Sequence, residues 1–100
     1  MRIEKIIKYI CNFCKIPLKD IQSSSRKKEI VEARYLICYI LWELHPYLTL
    51  IEISKIVNKD CTINSHCREK IINWLTYNKE FRIKYIPLFQ YFNINNIRHA

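Results

Sequence analysis

Two short clusters of polar side chains carry most of the hydrogen-bonding chemistry of this sequence. The first is the run Arg26-Lys27-Lys28, which lies in a segment, residues 23–28, without hydrophobic periodicity. The second starts at Lys59 and continues along one predicted helical face to Arg68. Cationic and hydroxyl side chains bind phosphate oxygens and the edges of nucleic-acid bases. The chain of 100 residues has a net charge of +8, so we expect a nucleic-acid partner rather than a membrane.

The complete absence of glycine excludes several classes of enzyme. Phosphate-binding loops, dinucleotide-binding turns and the nucleophile elbow of hydrolases need glycine where the backbone turns sharply or approaches a ligand. None of the three histidines has an obvious nucleophile partner, and the sequence offers no paired carboxylates. We therefore expect a protein that is not an enzyme and that binds no nucleotide and no other cofactor.

The five cysteines are interpreted as reduced thiols of an intracellular protein. Their odd number argues against a disulfide framework, and the sequence shows neither a signal peptide nor an apolar run of about 20 residues. Cys11 and Cys14 have the spacing of half a zinc site, but they share the apolar face of a predicted helix, where cysteine acts as a small hydrophobe. We expect no metal. Cys61 differs, because a helix N-terminus lowers the pKa of a thiol, and redox control through it is a further hypothesis.

Hydrophobic spacing predicts the helices that position these clusters. Apolar residues recur at helical intervals over residues 3–14, and Pro17 is followed by a short helical turn over residues 18–22. A helix over residues 29–44 is apolar on nearly all sides, which indicates a central, buried helix that ends before Pro46. The polar residues of its first turns are expected to face solvent or a ligand: Glu29, Glu32 and Arg34.

A helix-turn-helix is predicted over about residues 49–77. Thr49 and Glu52 have the spacing of a capping box, and Asn58 is suited to end the helix in a left-handed conformation where glycine is missing. The next helix is capped by Asp60 or Thr62, runs to about residue 77, and has an inner stripe formed by Ile63, Cys67, Ile71 and Trp74.

The last predicted helix covers about residues 79–94 and has one aromatic face. Pro87 should kink or split it. The aromatic face is either core or, in part, a surface for self-association or a protein partner, and its members are Phe81, Tyr85, Phe89 and Phe92. The fold class is thus all-α, with residues 1–100 forming a single domain, a bundle of about five to six helices that contains a helix-turn-helix.

The sequence from Ser23 to Arg34, the Leu50-x-Glu-Ile53 pattern and the segment Lys59-Asp60-x-Thr62-x-x-x-His66 resemble a known family. They are similar to the C-terminal DNA-binding domain of DnaA, the initiator of bacterial chromosome replication, and the similarity covers roughly Ile3 to Phe92, nearly the whole chain. The resemblance implies a Trp repressor-like helical fold that binds double-stranded DNA as a free-standing domain in the cytoplasm of a bacterial or phage-infected cell. Association with a virion is left open.

The resemblance also implies where the DNA contacts lie. Arg26 matches a loop arginine that enters the minor groove, and Arg34 matches a residue near the phosphate backbone. The recognition helix is expected in the major groove, with its start at the signature positions. The candidate DNA-binding residues are Arg26, Lys27, Lys28, Arg34, Lys59, Asp60, Cys61, Thr62, Ser65, His66 and Arg68.

The family signature is only partly kept in this chain. Asp60, Thr62 and His66 match it, whereas Cys61 stands where the family has a base-reading histidine and Ile63 replaces a threonine. Two interpretations therefore stay open. The protein is a DNA-binding regulator of replication or transcription in a phage or mobile element, or it is a degenerate domain that acts as a protein-interaction or structural module without sequence-specific DNA binding.

Overall fold

The structure is a computed structural model that describes residues 2–58 and 66–94. Over those residues the chain forms helices and no strand, as the sequence predicts. The helices are α1 (Ile3–Cys14), α2 (Leu18–Ile21), α3 (Lys28–Leu44), α4 (Leu50–Val57), α5 (Cys67–Tyr77) and α6 (Lys79–Tyr91). None of these helices is long and apolar enough to cross a membrane.

Helix α3 is the centre of the bundle, and α1, α2, α4 and α5 all pack against it. Its 17 residues include a continuous buried stretch from Leu36 to Leu41, so the prediction of a central helix is confirmed. The helix ends at Leu44, because Pro46 lacks the backbone N–H that would continue the hydrogen-bonding pattern. Since α1, α2, α4 and α5 all pack on this axis, α3 positions the elements on either side of the first predicted polar cluster and the described start of α5.

Two polar residues of α3 lie in places that the sequence pattern did not predict. Glu32 and Arg34 are each only 6% exposed, so the expectation that they face solvent is wrong, whereas Glu29 is exposed as expected. The Glu32 carboxylate accepts a hydrogen bond of 3.3 Å from the hydroxyl of Tyr85 on α6. Periodicity identifies the apolar faces of a helix, but it does not reveal that other elements cover a polar face with hydrogen-bonding partners.

The aromatic face of α6 belongs to the core. Its members Phe81, Tyr85, Phe89 and Phe92 are buried. The Phe89 ring meets Tyr39 of α3 edge to face at a centroid distance of 5.9 Å. Those four side chains therefore support the bundle and are not available at its surface.

Helix α6 continues through Pro87 from Lys79 to Tyr91, so of the two expected effects, a kink or a split, the split does not occur. Proline cannot donate to the carbonyl four residues earlier, which here belongs to Ile83. Both Pro87 and Ile83 are exposed, so that carbonyl is on the side where water can bind it. The missing hydrogen bond is accordingly tolerated without interrupting the helix.

The two ends of α4 have the caps that the sequence predicts. The hydroxyl of Thr49 accepts from the backbone N–H of Glu52, and the Glu52 carboxylate accepts from the N–H of Thr49, both at 3.1 Å. At the other end Asn58 has φ 57° and ψ 44°, which is the left-handed conformation. A capped helix of eight residues thus ends at a turn built without glycine.

We predict that Asn58→Ala lowers the free energy of unfolding by about 1 kcal/mol more than Asn58→Gly, because a Cβ is disfavoured at positive φ unless the side chain bonds locally. Both substitutions remove the same side-chain amide, so their difference isolates the backbone conformation. Urea unfolding followed by circular dichroism measures it. Equal stability of the two variants would show that the left-handed turn is not required.

Candidate nucleic-acid interface

The basic segment is a loop whose shape is set by serine side chains. The hydroxyl of Ser23 accepts from the N–H of Ser25 at 3.2 Å, and the hydroxyl of Ser25 accepts from the N–H of Lys27 at 3.3 Å. Serine hydroxyls make such local turns in place of regular backbone bonds. We name residues 22–27 the basic loop, and it ends where α3 begins at Lys28.

Arg34 holds the basic loop from the inside. Its guanidinium donates to three backbone carbonyls, from Nε to Ile21 at 2.9 Å and from Nη2 to Ser23 at 3.0 Å and Ser25 at 3.3 Å. Burial lowers the pKa of Arg34, but a guanidinium remains protonated in proteins. The buried cation is thus solvated by carbonyl dipoles, and these dipoles define the path of the loop.

The three consecutive cations of the first cluster point away from this buried arginine. Arg26, Lys27 and Lys28 are all exposed. The structure therefore divides these basic residues into one that shapes the loop, two that the loop displays and one, Lys28, at the start of α3. Sequence reasoning grouped Arg34 with the displayed cations and overlooked the serines, although their alternation at Ser23 and Ser25 is a signal for such a turn.

The basic loop is also joined to the end of α4. The side-chain Nε2 of Gln22 donates to the carbonyl of Ile56 at 2.8 Å, and Nδ2 of Asn58 donates to the carbonyl of Gln22 at 3.2 Å. We name this pair of hydrogen bonds the Gln22–Asn58 tie. It brings the start of the basic loop beside the turn that leads into the predicted recognition helix. Sequence reasoning did not single out Gln22, and a glutamine after a short helix carries no signal by itself.

Most of the second cluster lies outside the described residues, namely Lys59, Asp60, Cys61, Thr62 and Ser65. The described part begins with His66, which is exposed and whose Nδ1 is 4.0 Å from a carboxylate oxygen of Glu69. Arg68 follows on α5, and its Nη2 is 3.2 Å from Oε1 of Glu43 on α3. The side chain of Arg68 is 59% exposed, so this ion pair is accessible to a competing anion.

The predicted inner stripe fixes α5 on the bundle. Cys67 and Ile71 are buried, and Trp74 is half-buried with its ring edge to face with Tyr35 at a centroid distance of 5.6 Å. Ile63, the other predicted member, lies outside the described residues. The opposite side of the helix carries the exposed residues Arg68, Glu69 and Lys70, so α5 presents a charged face to solvent.

Trp42 holds the turn between α3 and α4. Its indole Nε1 donates to the carbonyl of Leu48 at 3.2 Å, and the ring is half-buried. The indole thus ties the end of α3 to the segment that approaches the capped helix. The position is thereby structural here.

The described cysteines behave as buried or half-buried thiols. Burial raises the pKa of Cys14 and of Cys67 to about 11, so both are neutral at pH 7. Cys11 and Cys14 share helix α1, and over the described residues no group of three or more His, Cys, Asp or Glu side chains is arranged to hold a metal ion. Cys61, the subject of the redox hypothesis, lies outside those residues.

An all-helical bundle in which a short capped helix precedes a turn and a second helix is typical of helix-turn-helix DNA-binding domains. The family model described as bacterial DnaA protein helix-turn-helix matches residues 3–71 of this chain. The protein therefore belongs to that family, and the resemblance seen in the sequence is confirmed. The matched region includes the basic loop, α4 and the predicted start of the recognition helix, whereas α6 lies beyond it.

Comparison with curated proteins gives no match, and comparison with solved structures gives none either. The class of the protein, a DnaA-type helix-turn-helix DNA-binding domain, therefore rests on the family match.

We predict that Arg34→Lys lowers the free energy of unfolding by about 2 kcal/mol, because an ammonium cannot reproduce the fork that reaches three carbonyls. Urea unfolding measures the loss, and amide hydrogen exchange should accelerate at Ser25 and Lys27. The matched control is Arg26→Lys, which makes the same substitution at an exposed position and should change stability by less than about 0.5 kcal/mol. A stable Arg34→Lys protein with unchanged exchange would contradict the assigned role.

Proposed function

We propose that this protein binds double-stranded DNA with two elements at once. The recognition segment from Asp60 to Arg68 enters the major groove, and Arg26 on the basic loop enters the adjacent minor groove. Lys27, Lys28 and Lys59 bind phosphate oxygens and fix the orientation of the domain on the duplex.

One observation carries the proposal. The basic loop, which with the first residue of α3 carries three exposed cations, is hydrogen-bonded through Gln22 to the end of α4, from which the recognition segment follows. In a chain of the DnaA helix-turn-helix family with a net charge of +8, this connection supports a proposal in which the basic loop and the segment that follows Asn58 bind DNA together. A narrow A·T minor groove concentrates negative potential and attracts arginine, which favours the role given to Arg26.

The recognition segment has the side chains for both backbone and base contacts. Asp60 caps the helix or accepts from the amino group of cytosine, and Thr62 bonds a phosphate or touches the methyl group of thymine. Cys61, Ser65 and His66 belong to the same proposed contact surface. Because Cys61 replaces a base-reading histidine of the family, we expect the preferred DNA sequence to differ from the DnaA box.

The two remaining arginines of the proposed interface are engaged within the protein. The Arg68 side chain is 59% exposed in its ion pair with Glu43, whose own side chain is 12% exposed, so a phosphate or a guanine can approach Arg68 from its solvent side. A phosphate contact by Arg34 stays a prediction, and its three bonds to carbonyls favour an effect on DNA through the shape of the basic loop.

We further propose that the protein regulates replication or transcription of a phage or mobile element in the cytoplasm, by occupying DNA and without catalysis. The 100 residues contain no glycine for a phosphate-binding loop, so the described domain would act by occupancy rather than by nucleotide hydrolysis. The alternative is a degenerate module that binds a protein. The altered signature around Cys61 favours it, because fewer base-reading groups remain.

We predict binding to labelled duplexes in a titration that compares the DnaA box with a scrambled sequence. If about six cations neutralise phosphates, the affinity should fall by about a thousandfold between about 50 and about 200 mM salt. Preference for one duplex supports sequence-specific recognition, and equal, steeply salt-dependent binding indicates a non-specific DNA-binding protein. Absence of binding at the lower salt concentration would refute the proposal and favour the protein-interaction module.

We predict that Arg26→Ala weakens binding to duplexes with an A·T tract about tenfold more than binding to duplexes of G·C pairs only. The substitution removes the guanidinium that the narrow A·T minor groove attracts. Fluorescence anisotropy on the two duplexes measures this difference. Arg82→Ala, which removes an equal charge from α6, serves as the control. Equal losses on both duplexes would contradict a minor-groove role.

A further inference from the structure

The Gln22–Asn58 tie joins segments that are far apart in the chain. The two hydrogen bonds bridge 34 and 36 positions of sequence, at 2.8 and 3.2 Å. Each partner stands at the exit of a short helix, with Gln22 at the end of α2 and Asn58 at the end of α4. The tie is therefore a direct connection between the two exits and does not pass through the apolar core.

Each exit leads into one of the proposed DNA-reading elements. The chain leaves Gln22 as the basic loop, whose later carbonyls at Ser23 and Ser25 are held by Arg34. It leaves Asn58 toward the recognition segment, after a left-handed turn whose backbone is fixed by the end of α4. The basic loop is thus held on one side by the central helix and on the other side by the helix-turn-helix.

We propose that Gln22 and Asn58 are positioning residues that fix the spacing between the basic loop and the recognition segment. The protein then recognises two groups of base pairs that lie at one fixed separation. The tie contributes to sequence specificity by setting that separation, without contacting the DNA itself. This inference rests on the proposed function, because it concerns how the same two elements read DNA together.

The geometry of the duplex makes this spacing measurable. Each added base pair moves the following groove by about 3.4 Å along the axis and also rotates it. A reader whose two elements are held together cannot follow that displacement without losing one contact. A protein whose two DNA-binding elements move independently keeps both contacts and loses little affinity on insertion. Its elements are less preorganised before binding.

The chain offers matched variants for this test. Gln22→Met keeps the size of the side chain without its donor, and Asn58→Gly keeps the left-handed turn without the amide. The controls make the same two substitutions elsewhere. Gln90→Met changes an exposed position of α6, and Asn93→Gly changes an exposed residue with a φ of 58°, close to that of Asn58. The double variant Gln22→Met/Asn58→Gly removes both hydrogen bonds of the tie.

The probes are duplexes that the wild-type protein enriches from a pool of random sequences. The A·T tract in each duplex is located by the protection from cleavage that the bound protein gives. A second set carries one extra base pair between that tract and the rest of the protected site. We expect the insertion to reduce the affinity of wild type and of both control variants at least tenfold, and that of the double variant less than threefold. The penalty is the ratio of the affinities of one protein for the duplexes without and with the extra base pair. A general loss of stability lowers both affinities and cancels from this ratio.

The outcomes separate the inference from the function on which it rests. If wild type enriches no duplex, the proposed function fails and this inference fails with it. If wild type binds and suffers the spacing penalty, but the double variant suffers the same penalty, the proposed function stands and the role of the tie is refuted. A purely structural role would lower the melting temperature of the double variant without changing its tolerance of the insertion.

Discussion

The arrangement of this domain depends on one buried cation. The guanidinium of Arg34 is almost inaccessible, and an unpaired charge in that position would be strongly destabilising. Three backbone carbonyls satisfy it, that of Ile21 at the end of α2 and those of Ser23 and Ser25 in the basic loop. These bonds hold the backbone of a glycine-free segment on which Arg26 and Lys27 are exposed. The positive surface of the protein is thus organised by a positive charge in its interior.

Helix α3 connects this constraint to the helix-turn-helix. Arg34 lies near its start, whereas Trp42 and Glu43 near its end bond to Leu48 and to Arg68. The same helix therefore sets the shape of the basic loop, the approach to α4 and the beginning of α5. The 17 residues of α3 thus contact the basic loop at one end and α5 near the other, and the Gln22–Asn58 tie joins the basic loop directly to the end of α4.

Local patterns in the sequence were sufficient for the all-helical class, both caps of α4 and the family. The capping box at Thr49 and the left-handed Asn58 depend on neighbours within three or four residues, and such neighbours are visible in a sequence. The burial of Glu32 depends on a hydroxyl that lies 53 positions away, so no local pattern contains it. The same reason accounts for Arg34 and Gln22, whose roles exist only once separate loops meet. The predicted DNA contacts depend in turn on a partner whose shape the sequence does not encode.

The hydrogen bond between Tyr85 and Glu32 has a consequence for how the chain folds as it is synthesised. The region that matches the family ends at residue 71, so the partner of a buried carboxylate emerges from the ribosome after the whole helix-turn-helix. Until then Glu32 lies on a helix whose neighbouring apolar surface is still uncovered by Phe81 and Phe89. The core of the described fold therefore extends past residue 71, and the burial of Glu32 is complete only once α6 has been made.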